Sequence, residues 1–280
     1  MARTAGESPV VLTMRPSVPA LGASIGAMGY AEGRFAHSAE LALPTGGAQL
    51  LVNLDGDALS SSSLTGAHRR TGGAALHGPY SEPVVIDPAQ QQAVLWVAFR
   101  PAGVHPFLGV PVSEVRDQLV GLDDLWGTGG AVLRERLLEA VAAGGPGAGL
   151  RALETALLDR TDRASEPDPA VRRAAALLDR GTPVGEVADR LGWTTGRLAR
   201  SCTAQLGLTP KRYARIRRFQ RLLGHVNAGH GPPDWALLAA DCGYHDQAHL
   251  IHEFRAFAGI TPTAYAPRSP HERNHVPLGG

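Results

Sequence analysis

Gly207-Leu208-Thr209-Pro210-Lys211-Arg212-Tyr213 and Gly259-Ile260-Thr261-Pro262-Thr263-Ala264-Tyr265 are one pattern written twice. Matching positions precede each copy at nearly constant offset. The first has Val187-Ala188, Gly192-Trp193 and Leu198; the second has Leu238-Ala239, Gly243-Tyr244 and Leu250. Two copies are too few for a solenoid, so the region reads as a duplicated supersecondary unit.

Each copy meets the requirements of a helix-turn-helix. In the first, Thr182 is expected to cap a helix with Pro183 at its first position. Ala188 is small enough for a second helix to cross close above it. Gly192 supplies the tight turn, and Trp193 packs between the helices. Thr194 or Thr195 caps a second helix running to about Leu206. In the second copy, Pro232-Pro233-Asp234 opens the first helix, Ala239 is the crossing residue and Gly243 the turn. His245 or Asp246 caps a helix to about Ala258. The second helix of such a unit lies in the DNA major groove, with its N-terminal residues toward the bases.

Between the copies, Pro210 to Gly224 places Tyr213, Ile216, Phe219 (or Gln220) and Leu223 on one helical face. Lys211, Arg212, Arg215, Arg217, Arg218 and Arg221 fill the rest. The pattern predicts a rigid connector packed on both units, with its basic face near phosphate.

Over roughly residues 170–265 the arrangement resembles the AraC/XylS family domain, two helix-turn-helix units joined by one linker helix. Gly243-Tyr244-His245-Asp246-Gln247-Ala248-His249-Leu250 and Phe254-Arg255-Ala256-Phe257-Ala258-Gly259-Ile260-Thr261-Pro262 carry the likeness. The resemblance implies base reading at Gly196, Ala199 and Arg200 in the first unit, with Arg197 near the backbone, and at Ala248, His249 and His252 in the second. The flanking DNA-contact candidates are Thr194, Thr195, Arg217, Arg218, Asp246, Gln247 and Arg255. His252 stands where the family usually has arginine, and Cys202 where it has a core phenylalanine.

Charge is divided in the same way. Residues 169–280 hold 15 basic and 8 acidic side chains, and residues 1–168 hold 12 and 18, within a net charge of +1. A basic half beside an acidic half points to one of them meeting a polyanion. Hydrophobic residues make up 44% and charged residues 19%, as in globular domains. No stretch reads as a signal peptide or membrane span, which places the chain in the cytoplasm. The two cysteines, Cys202 and Cys242, form no disulfide framework or thiolate metal motif, and read as small buried hydrophobes.

Residues 1 to about 110 read as β-rich. Leu50 to Leu54, Val84 to Ile86 and Val94 to Phe99 are apolar runs closed by turn signals, as in strands buried on both faces. Ser60 to Gly78 reads as loops or weak strands. Helices follow: one capped by Ser113 and running to Leu119 or Val120, one over Val132–Ala142 ended by Gly144-Gly145-Pro146-Gly147, and one over Leu150–Leu158. Leu43-Pro44-Thr45-Gly46 and Phe99-Arg100-Pro101-Ala102-Gly103 resemble a β-rich domain preceding the DNA-binding pair in some regulators of this family.

The fold expected is thus α+β: a β-rich N-terminal domain, a cupin-like barrel by resemblance, then a helical connector and an all-α C-terminal domain. The divisions expected are 1–160 for effector binding and dimerisation, 161–169 as linker, 170–266 for DNA binding and 267–280 as a loose tail. The function expected is a sequence-specific transcription regulator modulated by a small effector, with Asn53, His77, Trp96 and Arg100 as candidate pocket residues. Its expected partners are double-stranded promoter or operator DNA, RNA polymerase and a second copy of the chain, without cofactor, metal or membrane. The alternative is a DNA-targeted enzyme such as an alkyl-transfer repair protein. That chemistry needs a reactive cysteine in the N-terminal half, and none precedes Cys202.

Overall fold

The computed structural model describes residues 10–14, 16, 18–35, 37–161, 166–229, 231–269 and 272–278. Its strands are β1 (Val10–Met14), β2 (Ile25–Glu32), β3 (Glu40–Ala42), β4 (Gln49–Asn53), β5 (Ala58–Ser63), β6 (His68–Gly72), β7 (Ala74–His77), β8 (Val84–Ile86), β9 (Ala93–Phe99), β10 (Leu119–Gly121) and β11 (His275–Pro277). They form two antiparallel sheets, ordered β1-β2-β9-β4-β7-β10 and β11-β3-β8-β5-β6. The expected barrel does not close; the sheets remain two separate layers.

Side-chain alternation positions the first sheet. Met28, Leu50, Val52, Leu76, Leu95, Val97 and Phe99 share one face. They pack with Leu133, Leu137, Leu150, Leu153 and Leu157 from the long helix that covers it. On the opposite face Ala75 and Leu51 meet Leu59 of the second sheet. Trp96 is only half-buried, so β9 is not enclosed equally on both faces as its apolar run predicts.

The stretch Ser60–Gly78 contributes to β5, β6 and β7. Its signal is weak because β6, His-Arg-Arg-Thr-Gly, lies at the sheet edge and is mostly exposed, so burial never selected apolar residues there. The helix expected after Ser113 does not form. Val112–Glu114 is one 3-10 turn, Asp117 takes φ +56°, and Leu119–Gly121 pairs with β7. The left-handed residue ends any helix, and strand pairing takes the rest.

Helix α1 spans Leu122–Trp126 and α2 spans Thr128–Thr161. The two helices expected at Val132–Ala142 and Leu150–Leu158 are the halves of α2, broken where Gly145 has φ +71° and resumed at Pro146. Part of the expected linker, residues 162–165, lies outside the described residues. Then come α3 (Pro169–Asp179), α4 (Val184–Leu191), α5 (Thr195–Leu206), α6 (Pro210–Ala228), α7 (Trp235–Cys242) and α8 (Gln247–Ala258).

Their core is built on α6. Tyr213, Ile216, Phe219 and Leu223 are each at most 1% exposed and pack with Phe254 and Phe257. Leu41, Leu43 and Ala102 from the N-terminal half join the same core. Gln220, buried on α6, donates to the Pro44 carbonyl and to Asn274 Oδ1 at 2.8 Å each. The tail expected to be loose supplies β11, whose His275, Val276 and Pro277 pair with Ala42, Leu41 and Glu40; residues 270, 271, 279 and 280 lie outside the described residues.

Candidate nucleic-acid interface

The two units are built alike. In the first, α4 ends at Gly192 with φ +64°, and Thr194 caps α5 by accepting from Arg197 N–H at 3.2 Å. In the second, α7 ends at Gly243 with φ +77°, and Asp246 caps α8 by accepting from His249 N–H at 2.7 Å. Left-handed turns of this kind favour glycine, because a Cβ there meets the backbone. Of the open alternatives, Thr194 is the cap in place of Thr195, and Asp246 in place of His245. Thr182 does not cap α4. The N-cap is Pro183, which offers no side-chain acceptor, and the helix starts at Val184.

Capping leaves both first turns facing outward. Thr194, Thr195, Gly196, Arg197 and Arg200 are exposed on α5 and its cap, with Ala199 half-buried. Asp246, Gln247, Ala248, His252 and Arg255 are exposed on α8 and its cap, with His249 half-buried. Arg197 lies over the Trp193 ring, 4.4 Å from its centroid, and Trp193 is half-buried rather than enclosed. His249 meets the Tyr244 ring edge-on at 5.5 Å between centroids.

Two arginines predicted to touch DNA are held within the protein. Arg217 Nε donates to Asp179 at 2.6 Å and its Nη1 to the Thr45 carbonyl at 3.2 Å, which turns it toward the N-terminal half. Arg218 donates to Glu253 at 2.8 Å and to the Gly243 carbonyl at 3.0 Å. Sequence reading missed Glu253. It is 2% exposed, and Arg215 binds its other carboxylate oxygen at 2.5 Å. Two arginines of α6 thus fasten α8 through one buried carboxylate. Its signal is an acidic side chain at helical spacing from Leu250, Phe254 and Phe257, on their buried face.

Between the units runs a groove of about 500 Å³. Lys211, Arg215, Arg218 and Arg221 line it from α6, His249 and His252 from α8, and Thr182 to Val184 from the start of α4.

Asn53, His77 and Trp96 share one face of the first sheet, since Gln49 pairs with His77 and Ala98, Leu51 with Trp96, and Asn53 with Val94, while Arg100 follows the end of β9. They do not gather into one cavity. Asn53 is committed to its own loop. Its amide donates to the Ala58 and Gln90 carbonyls and its oxygen accepts from the N–H groups of Asp55 and Gly56. Arg100 Nε donates to the Gly22 and Ile25 carbonyls at 2.8 and 3.2 Å. His77 is 7% exposed beside Tyr80, with ring centroids 4.9 Å apart. His77 Nε2 has no hydrogen-bond partner among the described residues. Burial lowers the His77 pKa to about 4 and raises that of Tyr80. Asn53 also edges an open polar groove of about 590 Å³, with Asp55, Asp57, Ser60, His68 and Arg70.

Burial pushes the Cys202 thiol up to about 12 and also raises Cys242, so both are poor nucleophiles. Among the described residues no helix is long and apolar enough to cross a membrane.

Two capped helix-turn-helix units on one linker helix, with exposed recognition turns, define a DNA-binding helix-turn-helix protein. Residues 187–268 match the family model described as a helix-turn-helix domain. Residues 20–121 match a domain of unknown function, DUF6597. No curated protein matches the sequence. Among solved structures the chain is similar to ToxT from Vibrio cholerae O395, at 9% identity and TM-score 0.45, covering 92% of this chain and 96% of that one. It is likewise similar to unsaturated fatty acid bound ToxT from Vibrio cholerae strain SCE256, at 9% identity and TM-score 0.43, covering 92% and 95%.

Proposed function

We propose that the protein is a sequence-specific transcription regulator whose DNA affinity is set by a small effector held in the N-terminal half. The paired geometry of α5 and α8 carries this reading. Both are capped so that their first turns face out, and both are anchored to α6. Such a pair enters successive major grooves on one face of DNA, about one turn apart.

Arg200 is the best-placed base reader, being exposed and capable of a bidentate contact to guanine. In α8, Ala248 offers an apolar contact and His252 a hydrogen bond. His249 reads from a fixed position against Tyr244. Thr194, Thr195, Asp246, Gln247 and Arg255 flank the base-reading positions, and Arg197 lies toward the backbone. Gly196 and Ala199 permit close approach. Arg217 and Arg218 act mainly by holding the units in place.

In this reading residues 1–160 sense and dimerise, and residues 170–266 bind DNA. The half-exposed Val132 supports α2 as the contact between copies. Promoter DNA, RNA polymerase and a second copy are the partners in the cytoplasm. An effector must bind the two domain arrangements with different affinity, and the coupling is reciprocal.

Genomic fragment binding by purified protein, repeated with Arg200→Ala plus His249→Ala over a salt series, tests the reading. Selective binding lost in the variant supports it. Binding with no preferred sequence, unchanged by the variant, refutes base reading by these helices. An N-terminal ligand that raises thermal stability and leaves DNA affinity unchanged refutes the coupling.

A further inference from the structure

Base reading uses His249 and His252 on one wall of the groove between the two units and leaves its α6 cations unassigned. The groove's charge is unbalanced. Glu253 is the acidic side chain in its lining, and Arg215 and Arg218 already grip both its oxygens. Lys211 is exposed and, among the described residues, has no acidic partner within ion-pair distance. Arg221 spends one N–H on the Asp179 main-chain carbonyl and, among the described residues, has no acidic side chain within ion-pair distance. Four cations of one helix face against a single carboxylate leave an excess of positive charge.

Position gives that excess a meaning. One wall carries His249 and His252 of α8, and the other carries the opening of α4. The α4 start has no side-chain cap, so its first-turn N–H groups lack the acceptor that Thr194 and Asp246 supply elsewhere. Unsatisfied N–H groups at a helix start attract anions. With recognition helices in successive major grooves, the strand facing the protein between them presents its phosphates to this groove.

We propose that the groove seats the DNA backbone at the minor-groove crossing between the two half-sites, with Lys211 and Arg221 neutralising phosphates and Arg215 and Arg218 held as a fixed floor by Glu253. This rests on the reading of the chain as a DNA-binding regulator. The contact is sequence-independent and fixes the register of both units on the duplex.

The test is fluorescence anisotropy of the full chain with a labelled random-sequence duplex across a potassium chloride series. It compares wild type, Lys211→Gln plus Arg221→Gln, and a control, Arg173→Gln, a side chain exposed on α3. Each phosphate contact adds about 0.9 to the slope of log affinity against log salt. The double variant is expected to lose about 2 from that slope, to melt near wild type and to select the same sequences from a random pool. The control is expected to keep the wild-type slope. A wild-type slope in the double variant overturns the proposal and leaves base reading standing. If wild type binds no duplex, both readings fall. If inorganic phosphate raises the melting temperature of wild type but not of the double variant, and the DNA slope is the same in both, the groove is a free-anion site and the proposal fails.

Discussion

Glu40 and Arg268 lie 228 positions apart in the chain, yet Arg268 Nη1 sits 3.1 Å from both oxygens of the Glu40 carboxylate. Glu40 is 1% exposed. It also accepts from His275 Nδ1 at 2.7 Å and His37 Nε2 at 2.8 Å. Arg268 lies over the Phe35 ring at 4.2 Å and pairs with Glu272. This knot and the β3–β11 ladder fasten the end of the DNA-binding domain to the N-terminal half.

Burial opposes ionisation of Glu40, but hydrogen bonds from His275 and His37 and the charge of Arg268 outweigh it and lower the pKa from 4.5 to about 2. A depressed carboxylate stabilises the fold above its unfolded pKa and loses that contribution as pH falls through the folded one. Stability of about 3 kcal/mol is therefore expected to disappear between pH 4.5 and 2. Glu40→Gln strands the partners of a buried charge and is expected to cost about 3–5 kcal/mol at neutral pH. Urea denaturation against pH checks both. A variant equal to wild type at neutral pH would remove the knot from the stability argument.

His77 acts in a different window. Its pKa falls from 6.5 to about 4, chiefly on burial, and the charge of His275 lowers it further. The unfolded chain takes up a proton there that the folded one refuses, so stability declines as pH falls from 6.5 to 4. His77→Phe is expected to flatten this part of the profile and leave the Glu40 window intact. An unchanged slope between those values would place the titration elsewhere.

Loss of either recognition-helix cap separates folding from readout. Thr194→Ala and Asp246→Ala each remove one acceptor from a first turn. Thr194→Ala is expected to cost about 1 kcal/mol of stability, Asp246→Ala to destabilise α8, and each to weaken specific DNA binding more than random-duplex binding. Equal weakening of both would mean that the first turns do not read bases.

Gly259 caps α8 at φ +70°, and a Cβ there would lie 2.6 Å from Leu64 Cδ1 on the β5–β6 hairpin. Gly259→Ala is expected to destabilise by more than about 1 kcal/mol, through strain and contact together. Leu64→Ala in the same chain should restore the contact part and leave the strain. Additive losses in the double-mutant cycle would show that the two residues do not couple.

The helix-turn-helix pair was legible because its determinants are local. Caps, left-handed glycines and a helical apolar stripe each act within one turn of chain, so Gly192, Gly243 and the Tyr213–Leu223 face declare themselves, and each recognition-helix cap narrows to two neighbouring residues, of which the structure selects Thr194 and Asp246. The candidate base-reading positions followed from those elements by resemblance. The β-rich half was legible only where burial selects apolar residues, as in β4 and β9. The edge strand β6 carries no such signal, and β10 is a strand because β7 pairs with it.

What the sequence determined by itself was therefore the class of domain, its two units and their connecting helix. Only the tertiary structure decided what holds them. It opened the expected barrel into two sheets. It turned Arg217 and Arg218 inward, buried Glu253 between Arg215 and Arg218, and drew the tail back onto Glu40. These are contacts between residues far apart in the chain, whose electrostatic value depends on separation and burial. Neither quantity exists in a sequence until the chain has folded.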